Sequence, residues 1–360
     1  MEPKYNKLAE ILESEIHRVY SPGDRFHSIS ELMNEYGFSL QTVDRALRIL
    51  VDKGLLTRVQ GKGTFVADTS TESTAQVTKS VYVVTEIGEI SQRNPYSMAI
   101  YEGINEAIRG TQVQIAVGSY QDSFQDVLTS SRYDGVFLVA PDEPQRPYVQ
   151  QIKDLGLPAV IVGAQMNDLG VCVVDSDIVS GVYQAVQYLA QNGHRRIGYL
   201  GRPEPSAHDT IRFDAFQSCI SELNMETKEE WVASISHRMT QIEDRNELRR
   251  AFAGDDRPTC ILVSSYFYIT PGLIDELRSI DSDNHEGLSI IGFDDLDWLE
   301  YVRPPLACIR QMFVEIGRTA MQRLLSQMNN EPAKKLTELF PVELIRRRSV
   351  VPLLTDKIPV

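Results

Sequence analysis

Two periodicities divide the chain. Up to residue 66 apolar positions recur every three or four residues; from residue 80 they come as short unbroken runs separated by helical stretches. In the first part Leu8, Ile11, Leu12 and Ile16 predict an amphipathic helix over about 5–19, Leu32 and Met33 a second that Ser28 starts, and Val43, Ala46, Leu47, Leu50 and Val51 a third. Ser39 is placed to cap the third helix and Gly54 to end it in the left-handed conformation, with Gln41, Asp44, Arg45 and Arg48 turned outward. The period then falls to two. Runs at 56–59 and 64–66 favour strand, and Gln60-Gly61-Lys62-Gly63 between them predicts a hairpin with one cation at its tip. This is the outline of a winged helix, whose third helix would enter a major groove while the tip approaches the backbone or minor groove. The same pattern also fits an ordinary solvated surface, so spacing alone does not decide for DNA.

Beyond a small polar stretch, Ala67 to Thr74, which reads as a hinge linker, strand-like runs fall at 81–85, 113–117, 135–140, 159–162, 171–174, 197–200, 231–235, 260–263, 288–292 and 339–345. Helical segments at 98–109, 149–155, 179–192, 213–223, 271–280 and 313–328 lie between most of them. Unbroken apolar strands alternating with helices predict an α/β fold with parallel sheets covered on both faces. Ten strands in about 270 residues suit two sheets better than one, with a ligand cleft at the carboxyl ends of the strands.

Lys4 to Ala67 resembles the N-terminal domain of the GntR family of bacterial transcription regulators. The likeness rests on Lys4-Tyr5, Ser21 to Phe26, Ser30-Glu31-Leu32, Ser39, Thr42-Val43, Ala46-Leu47, Leu50, Gly54-Leu55-Leu56 and Gln60 to Val66. It implies a winged helix-turn-helix in which Gln41 and Arg45 contact bases, Thr42, Arg48 and Lys62 contact phosphates, and Arg25, Gly61 and Gly63 complete the surface. A second resemblance, to the LacI/GalR family of sugar-responsive repressors, covers about 80–348. Its motifs are Gly181 to Gly201, Arg212-Phe213-Asp214-Ala215-Phe216 with Ala215 in a glycine's place, Gly292-Phe293-Asp294-Asp295, and Pro304 to Gln311. It implies a two-lobed periplasmic-binding-protein-like domain, with lobe 1 at about 80–175 and 309–330, and lobe 2 at about 176–308 and 331–348. The division expected is a reader domain at 1–68, a linker at 69–79 and an effector-binding and dimerisation domain at 80–360.

Within the implied cleft, Arg212 at a helix start and Asp294 at a strand's carboxyl end are suited to hold hydroxyls. His237 matches a position that often carries a stacking aromatic, and Asn94, Tyr96, Asp142 and Asp177 are placed to close over a ligand. Two departures sharpen the picture. Ser265-Tyr266 stands where the LacI/GalR pattern has Asn-Asp, which removes a carboxylate and offers a stacking face instead. His27-Ser28-Ile29, Leu40 and Asp44 replace a Pro-Ser-Glu motif and two arginines of the GntR pattern, so the operator should differ from common GntR sites; Asp44 can either pair with Arg48 one turn on or accept from a cytosine amine.

Charge bears on the partner. The net charge is −14, and residues 1–68 carry nine Lys+Arg against ten Asp+Glu, so nonspecific DNA affinity should be weak and a local cluster must supply the phosphate contacts. No apolar run is long enough to span a membrane and the start lacks a signal-peptide core, which points to the cytoplasm. Cys172, Cys219, Cys260 and Cys308 are widely spaced and read as reduced core residues. No catalytic triad, phosphate loop, metal or cofactor motif stands out, so a cofactor-free non-enzyme is expected. The leading expectation is a ligand-responsive transcription regulator, a repressor of a carbohydrate-related operon. It would be a homodimer on a near-palindromic duplex operator, with a sugar-like effector between the lobes and no membrane partner. The alternative is a solute sensor whose DNA binding has weakened or been lost.

Overall fold

A computed structural model describes residues 4–59, 63–67, 79–85, 94–120, 133–201, 207–235, 242–284, 288–331 and 335–353. The head is three helices, α1 (Lys4–Val19), α2 (Ile29–Tyr36) and α3 (Leu40–Asp52), followed by antiparallel strands β1 (Leu56–Val59) and β2 (Gly63–Val66). Ser28 and Glu31 form a reciprocal capping box at the start of α2, and Ser39 caps α3. Gly37 and Gly54 take the left-handed conformation that an L side chain would resist. The core gathers Leu8, Leu12, Ile16, Leu32, Val43, Leu47 and Leu50. Two expectations fail here. Ile11 is exposed, lying at the edge of the α1 stripe. Asp44, expected outward, is only 6 % exposed because Arg48 Nε at 3.1 Å and Arg58 Nη1 at 2.7 Å enclose its carboxylate.

The remainder forms two six-stranded sheets. The first runs in the order β13 (Thr337–Phe340), β7 (Cys172–Ser176), β6 (Ala159–Val162), β5 (Gly135–Val139), β3 (Lys79–Val84), β4 (Val113–Gly118), and all its pairings are parallel. The second runs β14 (Glu343–Ile345), β12 (Ala307–Arg310), β11 (Ser289–Phe293), β10 (Cys260–Val263), β8 (Ile197–Leu200), β9 (Val232–Ala233), parallel except where β14 meets β12. Alternate residues of one strand enter opposite cores, as parallel sheets buried on both faces require. Along β3, Val81 and Val83 join Ile100, Ile104 and Ile316, while Tyr82 and Val84 join Val149, Ile152 and Met166.

Helices α4 (Pro95–Ile108), α5 (Arg146–Asp154) and α10 (Phe313–Met328) clothe the first sheet; α6 (Ile178–Gln191), α7 (Ala207–Glu222), α8 (Ile242–Phe252) and α9 (Pro271–Asn284) belong to the second lobe. Gly103 of α4 and Gly317 of α10 let these helices approach closely. A Cβ on Gly103 would fall within 2.6 Å of Arg318 N and nearer still to the Val314 carbonyl.

The chain passes between the sheets after β7, after β12 and between β13 and β14. The run at 339–345, expected as one strand, is therefore two, and 331–348, expected wholly in lobe 2, is shared between the lobes. Pro341 has no N–H for a ladder and separates them. The run at 231–235 shortens to β9 because Glu229–Trp231 is a 3-10 turn, and α8, rich in charge, was not expected. Among the described residues no helix is long and apolar enough to cross a membrane.

Candidate functional site

Parallel strands end with their chains turning out at the carboxyl edge, and in both sheets those edges bring polar side chains together. Asp294 directly follows β11 and is 1 % exposed. Its backbone is held at φ +75°, a region in which Asp and Asn are the usual non-glycine occupants. The carboxylate accepts from Tyr266 N at 3.2 Å and from the Gln311 side-chain amide. Burial raises its pKa against the opposing pull of Arg212 and these donors.

Arg212, on α7, is also buried. Its guanidinium lies 4.7 Å over the Phe293 ring, and Nη1 stands 3.5 Å from Asp209 Oδ1. Its Nε, together with Ser176 Oγ at the end of β7 and Thr85 Oγ1 after β3, is buried without a hydrogen-bond partner among the described residues. Buried polar groups are normally satisfied, so each of these atoms stands out as lacking a partner among the described residues.

Hydrogen bonds between described residues span the lobes. Tyr266, after β10, donates its hydroxyl to Asn94 Oδ1 at 2.5 Å, and that oxygen also caps α4 by accepting from Tyr96 N and Ser97 N. His208 Nε2 at the start of α7 lies 2.8 Å from Asp175 Oδ2 in β7. Tyr266 in turn stacks on Phe267 with centroids 4.3 Å apart.

Of the residues singled out from the sequence, Arg212, Asp294, Tyr266 and Asn94 are gathered here. Ser265, buried beside them, accepts from Phe267 N at 3.4 Å, which shapes the turn carrying Tyr266. Tyr96 sets its ring edge-on to Phe313 at 4.9 Å. Asp142 takes a capping position before a 3-10 turn, its N–H donating to Gln145 Oε1 at 2.9 Å, and Asp177 caps α6 by accepting from Ser180 N at 3.0 Å. His237 lies outside the described residues. Asp175, His208 and Gln311 were not singled out from the sequence; Asp175 and Gln311 lie at or just after a strand's carboxyl end, the one signal available, while His208 opens α7. Asp295 binds Arg310 and Arg347 at 2.6 and 2.8 Å. Burial would raise its pKa, but Arg347, Cys308 and Arg310 together lower it, so it works as a structural anion beside the site.

At the head, Arg25 lies against Gly63, its Nε 3.5 Å from where a Cβ would stand. Thr42 Oγ1 pairs with Ser39 Oγ at 3.0 Å. Gln41 is half-buried, and Gly61 and Lys62 fall outside the described residues. Arg45 and Arg48, expected to face outward, are turned onto the first lobe. Arg45 donates to the carbonyls of Leu155 and Gly156 at 3.3 and 3.0 Å and lies 4.4 Å over the Tyr5 ring. Burial lowers its pKa. Arg48 reaches Asp134 Oδ1 at 3.0 Å.

Comparison with known proteins gives this arrangement a context. Residues 4–66 match the model of the bacterial regulatory proteins of the gntR family. Residues 87–260 match that of periplasmic binding proteins and the sugar-binding domain of the LacI family, and 186–350 that of a periplasmic binding protein-like domain. The arabinose metabolism transcriptional repressor of Halalkalibacterium halodurans is 24 % identical over 99 % of both chains. A LacI family regulator from Bifidobacterium animalis subsp. lactis superposes with TM-score 0.64 at 22 % identity, over 76 % of this chain and 98 % of that one. The transcriptional regulator CelR in complex with cellobiose gives 0.62 at 20 % identity, over 89 % and 95 %. These relatives are regulators, not enzymes.

Proposed function

The chain joins a GntR-type reader domain to a LacI-type periplasmic-binding-protein-like domain, and we propose that it is a cytoplasmic transcription repressor of a carbohydrate operon. Its effector is a sugar or sugar derivative bound between the lobes. Arg212 and Asp294 contact the ligand with Asn94, Tyr266, His208, Asp175 and Gln311 around them, and closure of the lobes over it alters how the heads are held. Two copies pair through the sensor domain so that their heads read the halves of a near-palindromic duplex. Gln41 and Arg45 meet bases; Thr42, Arg25 and Arg48 meet the backbone with the wing.

The observation that carries this reading is the buried Arg212, whose Nε has no partner among the described residues and whose charge acts on the buried carboxylate of Asp294 at the end of β11. The names of two similar proteins, one an arabinose-metabolism repressor and one solved with cellobiose, support a saccharide. Coupling requires that ligand bind the DNA-competent and incompetent states differently. A gel-shift titration of the DNA upstream of its own coding region, with and without a panel of pentoses, hexoses and sugar phosphates, tests this directly. A sequence-specific shift altered by one sugar is expected. If no fragment shifts under any condition while a sugar still stabilises the protein, the solute-sensor alternative replaces it.

A further inference from the structure

The surface that holds the head is built from groups suited to capture arginine. Leu155 and Gly156 follow the last turn of α5, where helix carbonyls lack intrahelical partners and the dipole is negative; both carbonyls accept from Arg45. Asp134 immediately precedes β5. Its Oδ1 takes Arg48, while its Oδ2 accepts from Ser80 N at 2.8 Å, which fixes the carboxylate to the start of β3. Arg48 is thereby shared between Asp44 of its own helix and Asp134 of the lobe. Asp134 and Ser80 sit at the amino ends of β5 and β3, and Thr85 and Asn94 follow the other end of β3.

We propose that this docking is an autoinhibited state, in which the first lobe occupies the two arginines that DNA would need and operator binding requires the head to be released. The proposal rests on the DNA-reading role given to the head above. A guanidinium whose two Nη groups are committed to Leu155 and Gly156 cannot present the same fork to a guanine edge. The apparent operator affinity is therefore the intrinsic affinity scaled by the released fraction. The docked lobe also replaces missing positive charge as a source of discrimination: a weakly attractive duplex does not displace the contacts, whereas a matched operator does.

The test uses the full chain and Asp134→Asn, which keeps an acceptor for Ser80 N–H and removes the charge that holds Arg48. Spin labels at exposed Ser14 and Gln151, each changed to Cys, report head-to-lobe distance by double electron–electron resonance; the four native cysteines are buried. The expected results are a narrow distance distribution in the otherwise unchanged chain, a broader one in Asp134→Asn, and operator binding roughly threefold tighter in that variant without the labels. A broad distribution in the unchanged chain, or equal operator affinities with equal distributions, overturns the proposal. If neither protein shifts any upstream fragment yet the distances behave as expected, the docking stands and the assignment of the head to DNA is what fails.

Discussion

Tyr266 and Asn94 join the lobes: a hydroxyl carried by the turn after β10 donates to the side-chain oxygen that caps α4, 2.5 Å away. His208 and Asp175 make a second such contact between the lobes. Tyr266→Phe keeps the ring on Phe267 and deletes this donor. The variant should lose about 1 kcal/mol of stability and, without ligand, show a larger radius of gyration by small-angle scattering. An unchanged radius would mean that the bond does not restrain the lobes.

Asp294→Asn separates ligand binding from folding. Asn accepts the positive φ at this position, and its one oxygen can keep the bond from Tyr266 N while the Gln311 amide turns over. Saturating sugar should stabilise the parent chain, by roughly 2.7 kcal/mol at a hundredfold excess over the dissociation constant. In Asp294→Asn and Arg212→Lys calorimetric titration should give affinities at least about tenfold weaker, roughly 1.4 kcal/mol, with the ligand-free melting temperature little changed.

His194 makes stability depend on pH in the second lobe. Its Nε2 donates to the Val351 carbonyl at 3.1 Å, so Nδ1 accepts from Thr259 at 2.9 Å. Burial lowers its pKa from 6.5 to about 4. The unfolded chain therefore binds a proton that the folded chain refuses. Stability is undiminished above pH 6.5 and falls as pH drops from there towards 4, by at most about 3 kcal/mol. Urea unfolding across this range should show a slope that is shallower by one proton in His194→Gln; identical slopes would remove His194 as the cause.

Gly103→Ala should separate the helices that clothe the first sheet. Its new Cβ meets backbone atoms of α10, which cannot rotate away as a side chain could. A loss of at least about 2 kcal/mol is expected in denaturant unfolding, against about 1 kcal/mol for Gly110→Ala, where nothing lies within 4 Å and the positive φ alone resists. A Gly103→Ala chain as stable as its parent would show that the helices can part freely.

The unequal legibility of these features has a physical basis. The strands at 159–162, 197–200 and 260–263 were readable residue for residue, because burial on both faces leaves an unbroken apolar run between turns. Ser28, Ser39 and Gly54 were readable as helix ends because capping is a local bond or a local backbone angle. By contrast, the split at Pro341 depends on which sheet edge is free to accept each half, and α8, with its many charges, carries only a weak apolar stripe.

By itself the sequence determined what depends on neighbours along the chain: the winged-helix pattern, the strand-helix alternation, the caps, and the placing of Asp294 at a strand end; Arg212, expected at a helix start, lies in the second turn of α7, which begins at Ala207. Apart from Asp44 and Arg48, one helical turn apart, tertiary structure decided which polar groups meet. Asp44 faces inward because Arg58, fourteen positions away, closes over it with Arg48; Arg45 and Arg48 face the first lobe because Asp134 and the end of α5 are brought under them. Tyr266 reaches Asn94 across 172 positions. A side chain's charge and size are local properties, but its partner is set by how separate elements pack, and burial makes that partner decide whether the group is held, neutralised or left to bind something else.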